Sequence, residues 1–95
     1  MSSRRVVITG IGALTPVGKS APDFWNGLLS GKSGAKSVDR FDTTGFATTF
    51  ATQIDSYDPL QHFEKKEARK LDYATQYALI ATDEAIIDSK LNLDK

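Results

Sequence analysis

The chain of 95 residues contains no cysteine. Within it, a disulfide framework, a thiolate metal site and a cysteine nucleophile are therefore all excluded. It also has no apolar run of the roughly 18 residues that a membrane span needs, and its N-terminal apolar run is broken by Gly10 and Gly12. We therefore expect neither a signal peptide nor a membrane span, and a cytoplasmic location.

Neither sign of charge prevails, because 12 basic residues face 12 acidic ones. With 40% hydrophobic and 25% charged residues, the composition is that of soluble globular protein and of at most one small domain. A balanced charge gives no reason to expect a polyanion over the whole surface, so we expect no nucleic-acid partner and no membrane partner.

Histidine is also scarce, since His62 is the single one. It lies in a polar stretch with no recognisable acid partner, so we expect a solvated side chain and not the base of a serine or threonine nucleophile. Four aspartates lack the spacing of a calcium loop, namely Asp39, Asp42, Asp55 and Asp58. We therefore expect no metal, and we also expect no cofactor.

The N-terminal stretch, residues 4–18, organises our interpretation of the chain. Val6, Val7 and Ile8 form an unalternated β-branched run, which predicts a central strand buried on both faces of a layered sheet. A chain of this size buries only about 60 to 65% of its unfolded surface, so other protein would have to cover such a strand. A dinucleotide fingerprint is disfavoured, because the third glycine is replaced by Thr15 and Pro16 would interrupt the helix that follows.

The next predicted element is a short helix from about residue 21 to residue 30. Ser20 is a typical N-cap, and Gly31 is a typical C-terminal stop. Phe24 and Trp25 are interpreted as core residues of this helix. Residues 31–33 look like the end of a phosphate loop, but they follow a helix and lack the first glycine, so we reject that interpretation.

Residues 33–57 are rich in small polar residues and predict a loop with one edge strand at 48–54. Residues 58–61 predict a short capped turn, and residues 65–91, without proline or glycine, predict one long helix. Two apolar faces on this helix place it inside a larger body. The first face is a small-residue stripe formed by Leu71, Ala74, Ala78, Ala81 and Ala85. The second carries larger apolar side chains, those of Tyr73, Tyr77, Ile80, Ile87 and Leu91.

The beginning of the predicted long helix gathers four cations, Lys65, Lys66, Arg69 and Lys70. The last three share one helix face by their spacing, at an end where the helix dipole disfavours positive charge. From the residues alone, both a solvated charged surface and a binding patch for an acidic partner remain open.

Several segments resemble the β-ketoacyl-acyl-carrier-protein synthases, the condensing enzymes, most closely type II. They span the chain in order: residues 4–12, 14–18, 40–42, 66–72, 76–77 and 85–89. The resemblance implies an α/β fold, the N-terminal part of a thiolase-like layered αβαβα architecture that is incomplete in this chain. It implies one segment, 1–95, of the N-terminal half of a ketosynthase, with no complete domain boundary.

The resemblance also implies an acyltransferase that elongates acyl chains by decarboxylative condensation of an acyl thioester with malonyl-carrier protein. The parent enzyme would be a homodimer without a cofactor, and its partner would be acyl carrier protein. The catalytic cysteine and histidines match no residue here, so the chain alone is expected to be inactive. Its expected role is scaffold and carrier-protein docking, through Lys65, Lys66, Arg69 and Lys70. The alternative is a free-standing, non-catalytic module that binds an acidic protein.

Overall fold

A computed structural model describes residues 3–94 of the chain. Its order of elements is helix, two strands, a 3-10 turn and two helices, in which the strands are short and most of the chain outside the helices is irregular. The elements are α1 (Ala21–Leu29), β1 (Ala35–Ser37), β2 (Phe50–Thr52), the 3-10 turn (Pro59–Gln61), α2 (Lys65–Lys70) and α3 (Tyr73–Ser89).

The helix α1 forms where the sequence predicts it. The Ser20 hydroxyl accepts a hydrogen bond from the Asp23 backbone N–H at 3.2 Å, which satisfies one of the free donors of the first turn. The chain leaves the helix through Gly31, whose φ of +74° lies in the left-handed region that favours glycine. Both predicted helix signals are confirmed.

The strands β1 and β2 pair as a small antiparallel sheet, with Ala35 opposite Thr52 and Ser37 opposite Phe50. The edge strand predicted over residues 48–54 therefore forms in its centre, and its partner β1 is an element that the sequence did not indicate. From the middle of β1, the Lys36 ammonium pairs with Asp55 at 2.8 Å and with Asp39 at 3.3 Å. Ile54, 8% exposed, is the buried apolar residue beside this sheet.

The central strand predicted at Val6, Val7 and Ile8 is not formed, and this prediction is wrong for the residues described. The segment has no regular secondary structure, and Val6 and Ile8 are 93% and 84% exposed. A strand requires a neighbour to accept and donate its backbone hydrogen bonds, and the pairing of β1 with β2 supplies none to this segment.

The N-terminal segment is nevertheless fixed further along, where it crosses α3. Gly10 and Gly12 approach the backbone of α3 so closely that a side chain on either one would overlap Ala85 or Ala81. The predicted small-residue stripe is thus used in its C-terminal half, where it admits a neighbouring backbone. Its N-terminal half, Ala74 and Ala78, remains exposed.

Two carboxylates of α3 complete this attachment. The Asp88 carboxylate accepts from the Ile11 N–H at 3.0 Å, and Glu84 accepts from the Ala13 N–H at 2.8 Å. Glu84 also accepts from the Ala21 N–H at 2.9 Å, at the first residue of α1. The residues Glu84 and Asp88 lie one helical turn apart, so one face of α3 holds both the N-terminal segment and α1.

The single long helix predicted over residues 65–91 is also wrong, because the structure divides it into α2 and α3. Leu71 lies between them with an extended backbone, φ −110° and ψ 132°. The helix α3 ends at Ser89, followed by Lys90 in the left-handed region at φ 58°. The break therefore separates the basic residues from the long apolar helix.

The described residues leave much apolar surface uncovered. The accessible surface is 7894 Å², whereas a compact monomer of this length exposes about 5,400 Å². The radius of gyration is 17.3 Å, against about 12 to 13 Å for a compact domain of this length. No helix among the described residues is long and apolar enough to cross a membrane.

We predict that the 95-residue chain, expressed alone, associates through its exposed apolar surface, as patches beyond several hundred Å² commonly do. Light scattering and binding of an apolar dye should both report it. Replacing Val6 and Ile8 together by serine should reduce association at little cost to the monomer, because both side chains are exposed. The control Ile54→Ser should instead destabilise the chain. A monodisperse monomer with cooperative unfolding and no dye binding would contradict the prediction.

Candidate functional site

The helix α2 carries a dense set of positive charges on one side. Lys66, Arg69 and Lys70 occupy one face at a spacing of three and four residues, and Lys65 borders it. Ala68 lies on the opposite side of the helix and is half-buried. Because Ala68 faces the body of the protein, the three cations of the opposite face are directed to solvent. We call Lys65, Lys66, Arg69 and Lys70 the basic face.

The basic face has no internal partner for its charge. All four side chains are exposed, and the ion pairs among residues 3–94 are both made by Lys36, in the sheet. Glu67 lies on the same short helix and Glu64 is its N-cap residue, but neither forms an ion pair with these cations. The positive charges therefore remain available to an external anion.

The helix break corrects our view of the dipole at this site. Because α2 ends at Lys70, Arg69 and Lys70 lie in its last turn and not at the beginning of a long helix. Positive charge is favoured at a helix C-terminus, so the expected penalty does not apply to these two residues. The grouping of the four cations on α2 nevertheless agrees with the sequence prediction.

Asp72 begins α3 immediately after the break. Its carboxylate accepts from the Thr75 backbone N–H at 2.7 Å, as the N-cap of α3. Hydrogen bonds from the Thr75 side chain and backbone lower the pKa of Asp72 below its ordinary 3.8, so it is ionised at neutral pH. An acidic cap so placed also complements the positive end of the α3 dipole.

Behind the break lies Gln76, at 1% exposure the most deeply buried large side chain described. Its amide nitrogen donates to the Ala68 carbonyl at 3.1 Å and the Leu71 carbonyl at 3.0 Å. Its amide oxygen accepts from the Tyr57 hydroxyl at 2.6 Å. Burial raises the pKa of Tyr57 above its ordinary 10.0, so the hydroxyl keeps the proton that it donates.

Aromatic rings surround this junction and connect it to the loop before α2. The Tyr57 ring packs edge-to-face against Tyr77 at 5.0 Å and against Tyr73 at 5.5 Å between centroids. It also stacks on His62 at 5.9 Å. His62 is exposed, as the sequence predicts, and its ring covers one side of Tyr57.

A concave region lies between α1, α3 and the N-terminal segment, with a volume of about 760 Å³. Phe24 is half-buried against it, whereas Trp25 is 59% exposed on its rim. The prediction that both are core residues is therefore wrong for Trp25, and Phe24 is only partly covered. Across residues 3–94, no group of three or more metal-ligating side chains comes together.

Comparison with known proteins decides the family. Residues 3–95 match the N-terminal domain of the β-ketoacyl synthases. The chain belongs to the β-ketoacyl synthase family.

Relatives at the level of sequence agree with this membership of the β-ketoacyl synthase family. The chain is 44% identical over 95 residues to 3-oxoacyl-acyl-carrier-protein synthase 2 of Vibrio cholerae, covering 100% of this chain and 23% of the relative. It is 36% identical over 95 residues to the Synechocystis protein of the same name, again covering 23% of the relative. The chain thus spans about a quarter of the length of the curated relatives it matches.

A solved structure supports the fold. The ishigamide ketosynthase/chain length factor superposes with a TM-score of 0.79 at 33% identity, over 98% of this chain and 23% of the solved one. The resemblance to a type II ketosynthase and the expected fold, the N-terminal part of a thiolase-like α/β architecture, are both confirmed.

Sequence reasoning missed the junction behind the basic face of this β-ketoacyl synthase segment, where Gln76 bonds to Ala68 and Leu71. An aspartate is a better N-cap than helix interior residue, so Asp72 was a signal for the break. Nothing in the pattern indicated that Gln76 would be buried, because a glutamine within a helix is most often exposed.

We predict that Asp72 sets the start of α3 through its charge. In a synthetic peptide of residues 70–92, Asp72→Ala should lower helicity because alanine offers no oxygen to the Thr75 N–H. Asp72→Asn keeps a capping oxygen and should retain part of the helicity. These helicities are compared by circular dichroism.

The dependence of helicity on pH tests whether the Asp72 cap acts as an ionised carboxylate. A pKa lowered in the helix means that the stabilisation is present above the ordinary pKa and is lost as the pH falls through the lowered one. The helicity difference between the parent peptide and Asp72→Asn should be largest at neutral pH and should shrink as the pH falls below the ordinary 3.8 of this carboxyl. All other acidic groups are shared, so a difference that does not change with pH would contradict an ionised cap.

Proposed function

We propose that this chain is the N-terminal segment, residues 1–95, of a 3-oxoacyl-acyl-carrier-protein synthase. The parent enzyme is an acyltransferase that lengthens acyl chains by decarboxylative condensation with malonyl-carrier protein. This segment contributes scaffold and part of the surface that docks acyl carrier protein, through the basic face. The names of the curated relatives, which specify an acyl-carrier-protein substrate, support the assignment.

The observation that carries the docking proposal is the unpaired charge of α2. Lys66, Arg69 and Lys70 face solvent together, and within residues 3–94 no carboxylate forms an ion pair with them. Such a cluster attracts an acidic protein at long range and acts mainly on the association rate. The inward Ala68 and the buried Gln76 hold the rest of the helix against the body, so the cations can all contact one partner surface.

The open surface favours a part of a larger body over a free-standing module. The described residues expose Ile87, Trp25 and the whole of the Val6 to Ile8 run. The Tyr77 hydroxyl is buried and has no hydrogen-bond partner within residues 3–94. A buried hydroxyl without a partner costs about 1 to 3 kcal/mol. We expect the cover for the exposed apolar surface in the remainder of the enzyme.

The chemistry of the parent enzyme needs groups that this chain does not contain. A covalent acyl intermediate requires a nucleophile such as an activated thiolate, and the chain has no cysteine. We therefore assign no catalytic residue here, and we place the acyl-transfer site in the remainder of the parent enzyme. The family resemblance leads us to propose a cytoplasmic homodimer that works without a cofactor.

We predict that Arg69→Glu and Lys70→Glu in the full-length enzyme raise KM for carrier-bound substrates. Each reversal replaces attraction by repulsion at an exposed rim position, which costs about 1 to 2 kcal/mol of binding, or about 5-fold to 30-fold in KM. KM and kcat for a thioester substrate without the carrier protein should be unchanged, because that substrate makes no use of the basic face.

Two controls make this measurement specific. Arg69→Lys keeps the charge and should stay close to the wild type, whereas Lys32→Glu reverses an exposed lysine outside α2 and should have little effect. The wild-type KM for carrier-bound substrate should rise with salt, since the screening length falls to about 8 Å at physiological ionic strength. Equal loss with both substrates, or unchanged kinetics at low salt, would contradict docking at the basic face.

A further inference from the structure

The basic face lies on a helix that cannot hold its own direction. The helix α2 has six residues and is followed at once by the extended Leu71, so it is shorter than two turns. Isolated helices shorter than about 12 residues are marginal in water, because nucleation costs more than a few hydrogen bonds return. Contacts from outside α2 must therefore keep it folded and set its orientation.

The end of α2 leaves the carbonyls of its last turn without the partners of a continuous helix, and those of Ala68 and Leu71 are two of them. In an unbroken helix the Ala68 carbonyl would accept from the Asp72 N–H, and the Leu71 carbonyl from the Thr75 N–H. The break removes both bonds, and the Thr75 N–H donates instead to the Asp72 carboxylate. These carbonyls lie on the inner side of the helix, where a missing hydrogen bond is costly.

The side chain of Gln76 replaces both lost bonds. Its two amide hydrogens reach the Ala68 and Leu71 carbonyls at 3.1 and 3.0 Å. Because carbonyl oxygens can only accept, the amide nitrogen must face them, and the amide oxygen then faces the Tyr57 hydroxyl. That oxygen accepts from Tyr57 at 2.6 Å, so the amide is satisfied on both sides.

These three bonds join the parts of the chain that meet at the break. Gln76 belongs to α3, Ala68 to α2, Leu71 to the break itself, and Tyr57 to the loop that precedes the 3-10 turn. The backbone of Gln76 is held independently, because its N–H donates to the Asp72 carbonyl at 3.0 Å in the first turn of α3. The amide thus ties α2 to a rigid element.

We propose that Gln76, held by Tyr57, is a positioning residue that fixes the direction of α2 and thereby the alignment of the basic face with its acidic partner. This inference rests on the docking role proposed for the basic face. Gln76 itself is 1% exposed and contacts no partner, so its effect on docking is indirect.

The test is Gln76→Met in the full-length enzyme, a change that keeps the approximate length of the side chain but removes all three hydrogen bonds of the amide. We expect KM for carrier-bound substrate to rise about 5-fold to 10-fold, since two buried carbonyls lose their donors and α2 loses its direction. We expect kcat with a carrier-free thioester substrate to change by less than about 2-fold.

Salt dependence separates positioning from charge. Gln76→Met retains every cation, so its KM should still rise with salt, whereas Arg69→Glu should weaken that dependence. Amide hydrogen exchange of residues 65–71 should become faster in Gln76→Met while that of α1 stays unchanged. The proposal would be overturned if Gln76→Met impaired the kinetics with both substrates equally, or if amide hydrogen exchange became faster throughout the chain. Either result would mean that Gln76 supports the whole fold.

Tyr57→Phe decides the matter if Gln76→Met is insoluble. It deletes one hydroxyl and keeps the ring against Tyr73 and Tyr77, so a rise of about 2-fold in KM for carrier-bound substrate supports the proposal. A wild-type KM in that variant would overturn it. If Arg69→Glu leaves carrier kinetics unchanged, the docking role itself fails. If Arg69→Glu impairs docking and Gln76→Met does not, only the positioning role fails.

Discussion

The hydrogen bonds between the Gln76 amide and the carbonyls of Ala68 and Leu71 set the direction of α2 and so of the cations of the basic face. Without them a six-residue helix would end in two unsatisfied carbonyls on its inner side. With them the helix stops cleanly, Ala68 faces inward, and Lys66, Arg69 and Lys70 face outward together. The electrostatic character of the surface is therefore a consequence of a neutral, buried amide.

At the other end of α3, a few close backbone contacts and hydrogen bonds likewise hold a longer segment in place. There Gly10 and Gly12 admit the N-terminal segment to the helix backbone, and Glu84 and Asp88 accept its N–H groups. One helix thus anchors the basic face at its beginning and the N-terminal segment near its end. In the proposed enzyme, this makes α3 the scaffold that relates the docking surface to the sheet layer into which residues 6–8 would enter.

Local signals in the sequence predicted local structure well. Ser20 and Gly31 define α1 because a cap and a left-handed glycine act within one turn of the helix. The exposed position of the four cations and the family were also accessible, the first from spacing and the second from motifs distributed along the chain. These features depend on neighbours in sequence or on patterns that do not need a partner.

The failures have one physical cause, which is dependence on a contact distant in sequence. The Val6 to Ile8 run has strand propensity, but a strand exists only with a neighbour, and the described residues supply none. No proline or glycine in the sequence indicates the helix break at Leu71. It is stable because Asp72 caps α3 and Gln76 satisfies α2, and the second of these depends on a side chain that propensity places in solvent.

A structure of the full-length protein bound to acyl carrier protein would test the central claim most directly. We predict that acidic side chains of the carrier lie within about 4 Å of Lys66, Arg69 and Lys70, with α2 in the orientation described here and the Gln76 bonds intact. A carrier protein bound elsewhere, with the basic face in solvent, would contradict the docking role of α2.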